Sequence, residues 1–173
     1  MKSRFFTPKN MSLCGIFAAL LTICSWISIP VGGISFTMQT FALYLALLTL
    51  GAKRAFFSTL VWLLLGVTGI PVFSGFRGGI SALLGPTGGF LWGFLAAAAI
   101  FHLLEKRPVI AAIGSMAVCY ACGAAWLAWG YAEGAGIGVA LIQCVLPCLA
   151  PDAGKIFLAF VLSRRLRRFA ADN

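Results

Sequence analysis

The 173-residue sequence predicts an all-α membrane protein, a single membrane domain over residues 1–173 with six transmembrane helices and both termini cytoplasmic. Three observations predict it. Hydrophobic residues make up 61% of the chain and charged residues 10%, with a mean hydropathy of +1.01, which leaves too little polar surface for a soluble domain. The apolar residues form continuous runs rich in Leu, Ala and Phe, the pattern of spanning helices rather than of the short alternating strands of a membrane barrel. Basic residues cluster at the amino end and in alternate connections, as the positive-inside rule requires of a multi-pass protein of the inner (cytoplasmic) membrane.

The first helix is expected over about residues 11–29. It follows Lys2, Arg4 and Lys9, as a signal peptide would, but it is long for one and lacks an A-x-A cleavage pattern, so it is read as retained. Gly15 and Ala19 form a small-xxx-small pair on it, with Ala18 and Thr22 one position over, a strip that suits close approach of a partner helix. The second and third helices, about 37–50 and 55–67, are short for full spans and flank cytoplasmic Lys53 and Arg54. The second opens in GGISFTMQTF, where Thr37, Gln39 and Thr40 supply hydroxyl and amide groups. The alternative is that Thr37 only caps the helix while Gln39 faces headgroups.

The stretch Gly66 to Phe90, GVTGIPVFSGFRGGISALLGPTGGF, interrupts the apolar pattern with an outer loop over residues 68–87 that is dense in glycine and carries Arg77. Arg77 has three candidate partners: Glu133, a lipid phosphate, or the carboxylate of a ligand held in bidentate fashion. The fourth helix, about 88–104, begins at GPTGGF, so Thr87 and Gly88 stand where free amide groups and the positive end of the helix dipole suit an anion. Thr87 as an ordinary cap is the competing reading. His102 and Glu105 end this helix beside Lys106 and Arg107, a solvated cytoplasmic cluster. The fifth helix covers about 109–130. The sixth, about 136–162, leads into the basic end SRRLRRF, which suits lipid headgroups rather than nucleic acid.

Asp152 and Lys155 break the sixth run. At ~1.5 Å per residue they lie roughly 18 and 13 Å from the basic boundary, near the middle of a ~30 Å core. Their i, i+3 spacing lets each offset the other's charge, and a charge at that depth must face a partner or a polar cavity. Pro147 and Pro151 precede them, and a helix break near Pro151 with Asp152 as the new cap is expected. The structural alternative is an ion pair that only joins helices. Trp26, Trp92, Trp126 and Trp129 fall near outer helix ends, as in an interfacial belt. Cys14, Cys24, Cys119, Cys122, Cys144 and Cys148 all fall within spans and read as small packing residues. No metal-ligand spacing and no cofactor motif is present.

Three separated motifs, GVTGIPVFSGFRGGISALLGPTGGFLWGF, FTMQTFALYLALLTLG and PDAGKIFLAFVLSRRLR, make the sequence resemble the BioY-type biotin transporters, the substrate-binding S components of energy-coupling factor transporters. The turn before Asp152 departs from the family's usual P-G-D-x-x-K, reading A-P-D-A-G-K, and Ser35 stands where the family often has proline. The resemblance implies high-affinity biotin capture from outside, powered by a separate transmembrane coupling subunit and two ATPase subunits. This chain carries no phosphate-binding G-x-x-x-x-G-K-[ST] loop of its own. The implied roles are Asp152 and Lys155 on the ureido ring, Arg77 and the Thr87–Gly88 helix end on the carboxylate, and Gln39 or Thr37 completing the hydrogen bonds, with residues 70–85 as a gate. An S component for thiamine or riboflavin, an intramembrane thiol oxidoreductase using Cys119 and Cys122, and a purely structural subunit are the competing readings.

Overall fold

The computed structural model describes residues 7–31, 34–131 and 146–171. Lys2, Arg4, Glu133, Cys144, Asp172 and the first ten residues of the expected sixth run lie outside them. Among the described residues, seven helices and one strand pair follow in the order α1 (Pro8–Trp26), β1 (Ser28–Val31), β2 (Ile34–Thr37), α2 (Gln39–Leu50), α3 (Ala52–Val67), a 3-10 turn (Ser74–Phe76), α4 (Ile80–Leu84), α5 (Gly88–Leu103), α6 (Pro108–Gly130) and α7 (Leu146–Ala171). The protein is mostly helical and of membrane type. Among the described residues, α1, α6 and residues 146–167 of α7 are long and apolar enough to cross a bilayer, and α2 and α5 are shorter apolar helices.

The hairpin corrects the all-α expectation. Ser28 pairs with Thr37 and Val31 with Ile34 in an antiparallel ladder, so the second helix starts at Gln39 rather than at Thr37. Backbone groups that neither helix can satisfy are paired between the two strands instead. A second correction concerns α7, which runs unbroken from Leu146 to Ala171 with Pro151 inside it. Pro151 removes one ladder donor inside the helix, yet the chain stays helical through it.

α2 is the core of the molecule. Ala42 to Leu48 are buried without interruption, so this helix is apolar on every side and enclosed by α1, α3 and α7. It turns into α3 at Gly51, whose φ of +83° places it in the region that favours glycine. α5 and α6 form the most intimate pair. A Cβ on Gly89 would come within 2.2 Å of Trp126 Cβ, and one on Gly123 within 2.3 Å of the Phe90 ring, so the two helices touch through missing side chains. Trp62, fully buried, stands edge-on to Phe73 at a ring distance of 5.1 Å and fastens the outer loop to α3.

Candidate functional site

A cavity of about 370 Å³ opens between β2, α2, the 73–87 segment, α5, α6 and α7. Most of its wall is apolar, with Leu43, Phe90, Leu91, Phe94 and Met116 contributing from three helices. Polar groups converge on one part of it. Lys155 Nζ donates to Asp152 Oδ1 at 2.7 Å and to the Thr37 carbonyl at 2.8 Å. The Tyr120 hydroxyl donates to Asp152 Oδ2 at 2.7 Å. The Thr37 hydroxyl donates to Gln39 Oε1 at 3.0 Å, while Gln39 Nε2 is buried with no partner.

The local folding explains this convergence. The hairpin ends at Thr37, so its carbonyl is left pointing at α7 instead of entering the ladder of α2. One helical turn along α7 carries Asp152 and Lys155 on the face that meets α2. The pair is nearly dry, with side-chain accessibilities of 9% for Asp152 and 14% for Lys155, and each charge is compensated by the other. Both carboxylate oxygens are already bonded, yet each keeps a lone pair for a donor entering the cavity. The unpaired Gln39 amide belongs to a residue only 5% accessible that lines the same cavity, and it lacks an acceptor.

Of the residues singled out in the sequence, Asp152, Lys155, Thr37, Gln39, Arg77 and Thr87 all line this one cavity. Arg77 does so from the exposed loop, its Nε donating to the Ser74 carbonyl at 3.3 Å. Glu133, one of its expected partners, lies outside the described residues. Gly88 does not line the cavity: its N–H is committed to the Gly85 carbonyl at 2.9 Å, and a Cβ there would fall 1.9 Å from the Leu83 carbonyl oxygen. Thr87 precedes α5 without a side-chain capping bond. Tyr120 is the site residue that sequence reasoning missed. Its sequence signal is a hydroxyl inside an apolar span, which in C-Y-A-C was overshadowed by the two cysteines. Cys119 and Cys148 also face the cavity.

The loop above the site is tied down at its first half. Val72 O accepts from Ser25 Oγ at 2.5 Å and from Trp62 Nε1 at 3.1 Å, and Pro71 O accepts from Trp26 Nε1 at 2.8 Å. The second half is held through its backbone, with the Gly79 N–H donating to the Gly66 carbonyl at 2.7 Å and the Arg77 carbonyl accepting from the Phe73 N–H at 2.9 Å, while Phe76 is exposed and stacked on Trp26 at 5.0 Å. None of Trp26, Trp92, Trp126 and Trp129 lines the cavity. On α1, Gly15 and Ala19 face outward whereas Ala18 is buried and Thr22 half-buried, so the small-residue strip is split between surface and core.

The family model of BioY matches residues 1–172. The chain belongs to the BioY family. Its relatives include a protein described as a probable biotin transporter BioY of Pyrococcus horikoshii, 39% identical over 92% of this chain and 96% of that protein. The biotin transporter BioY of Thermotoga maritima is 34% identical over 95% of this chain and 99% of its own length. Among solved structures, the S-component for biotin from an ECF-type ABC transporter matches this BioY-family chain with a TM-score of 0.80 at 24% identity, covering 97% of this chain and 95% of that one. That likeness concerns the fold.

Proposed function

We propose that this chain is the biotin-binding S component of an energy-coupling factor transporter and takes up biotin across the cytoplasmic membrane. The observation that carries the reading is the cavity itself: an apolar chamber with one polar pole made of Asp152, Lys155, Tyr120 and the unpaired Gln39 amide, in a chain of the BioY family. Biotin matches that division. Its ureido ring has two N–H donors and one carbonyl acceptor, its fused thioether ring and chain are apolar, and its far end is a carboxylate.

In this reading Asp152 accepts a ureido N–H, and Lys155 and Gln39 donate to the ureido carbonyl. Arg77, at the loop side of the cavity, takes the carboxylate, with Thr87 beside it. The bicyclic ring lies against Leu43, Phe90 and Phe94. Water leaves the chamber as the ligand enters, which strengthens each of these bonds. The ligand's charge is neutralised by a guanidinium that needs little desolvation, because Arg77 stays exposed. Closure over the bound ligand belongs to the loop around Ser74–Arg77, since moving 71–72 would break the bonds from Ser25, Trp26 and Trp62 and moving Gly79 would break its bond to the Gly66 carbonyl.

The chain spans the membrane six times with both ends cytoplasmic, the arrangement that the basic clusters favour. Gly15 and Ala19, exposed on α1, provide the face for a transmembrane coupling subunit that carries two ATPase subunits. The expressed protein should accumulate labelled biotin in cells unable to make it, and excess thiamine or riboflavin should leave that accumulation unchanged. Competition by either vitamin at similar concentration would replace biotin as the substrate.

A further inference from the structure

A second concavity lies away from the biotin cavity, between the start of α3 and the end of α5. It has a volume of about 230 Å³ and is lined by Ala52, Phe56, Phe57, Ala98 and Ala99, with Lys53 and His102 at its rim. Its depth comes from composition: the alanine run of α5 leaves no side chains to fill the space beside the two phenylalanines, which meet edge to face at 6.0 Å.

The surrounding charge is one-sided. Arg54, Lys106 and Arg107 stand at the same end of the molecule as Lys53. Among the described residues the only acidic side chain there is Glu105, and its charge is taken up internally. Its Oε1 accepts from the Ala52 N–H at 3.4 Å, at the positive end of α3, and its Oε2 faces His102 Nδ1 at 3.3 Å. Lys53 is exposed and makes no ion pair among the described residues.

We propose that this cleft holds an anionic phospholipid, with the phosphate on Lys53 and the free edge of His102 and one acyl chain against Phe56, Phe57 and Ala99. The pairing of a hydrocarbon cleft with a cationic rim selects an amphiphile. A free anion would gain nothing from the apolar walls, and a zwitterionic lipid would gain little from the rim, whereas an anionic one gains on both. Juxtamembrane cations of this kind attract acidic leaflets at short range.

The test is lipid retention by the full-length protein reconstituted in nanodiscs of equal phosphatidylglycerol and phosphatidylethanolamine, then extracted in mild detergent and weighed by native mass spectrometry. Phosphatidylglycerol should remain bound over phosphatidylethanolamine by about fivefold. Lys53→Gln with His102→Gln should bring that ratio to unity, and Ala99→Phe, which fills the cleft, should lower retention of both lipids. Unchanged thermal unfolding of these variants establishes that they fold, independently of any biotin measurement. A ratio of one in the parent, or a ratio that survives the Lys53 and His102 substitutions, overturns the proposal. Retention untouched by Ala99→Phe removes the acyl chain from this cleft. Lipid binding that is unaltered in both variants, together with lost association with a transmembrane partner, would assign the surface to a protein instead.

Discussion

Asp152, only 6% accessible, is bonded by the Lys155 ammonium and the Tyr120 hydroxyl, and Lys155 donates in turn to the Thr37 carbonyl. Removing one ion of such a pair leaves the other buried and uncompensated, at about 3–5 kcal/mol. Lys155→Met should therefore lower thermal stability sharply, and adding Asp152→Asn should recover much of the loss. A double variant no more stable than the single one would show that the pair is not coupled. Tyr120→Phe removes a single hydrogen bond to a charged acceptor, worth about 1.5–3 kcal/mol. Because Tyr120 acts by holding Asp152, the variant should weaken biotin binding by about tenfold or more while leaving secondary structure intact. Equal affinity of Tyr120→Phe and parent would confine Tyr120 to packing. Asp152 and Lys155 were legible in the sequence because charge inside an apolar run has no cheap structural explanation. Tyr120 was not, since an aromatic hydroxyl in a span looks like any packing residue until a second helix brings a carboxylate to it.

At the scale of elements, five of the six expected runs overlap α1, α2, α3, α5 and α6 and the described part of the last overlaps α7, though α1 ends at Trp26 instead of near residue 29 because Ser28–Val31 form β1. Long apolar segments leave one solution for their backbone groups, which is why they read clearly. The hairpin at 28–37 did not, although apolar residues on either side of Gly32-Gly33 form a recognised hairpin pattern. It was obscured because these strands continue the hydrophobicity of the helices they join. Pro151 misled in the other direction: it removes one ladder donor, yet the helix continues through it. The α5–α6 contact yields a prediction of its own. Gly89→Val would drive side-chain atoms into Trp126 and the Cys122 carbonyl, which lie 2.2 and 2.8 Å from a Cβ at that position. Overpacking of this kind costs about 1–3 kcal/mol and should separate the helices that carry Phe90 and Tyr120. The expected result is lower melting temperature and weaker biotin binding together. A variant as stable as the parent would mean that the helices part without cost.

At the scale of the whole molecule, the two ends differ in what they offer. The end that carries Lys53, Arg54, Lys106 and Arg107 is basic, and the end that carries the outer loop presents Arg77 beside the cavity. The charge pattern favours one orientation, but the convergence of β2, α2, α6 and α7 on one polar pole was not legible, because it depends on which helix lies beside which. The orientation predicts that single cysteines at Lys106 and at Phe76, each in a background freed of native cysteine, label from opposite sides of intact cells. Labelling of both from outside would refute it. The central claim is that the Asp152 pole of this cavity binds biotin, and calorimetric titration of the purified parent and of Asp152→Asn with biotin tests it most directly. Saturable one-to-one binding in the parent, weakened about tenfold to a hundredfold in the variant, is the predicted result. Absence of heat in the parent, or identical affinity in both proteins, would contradict it.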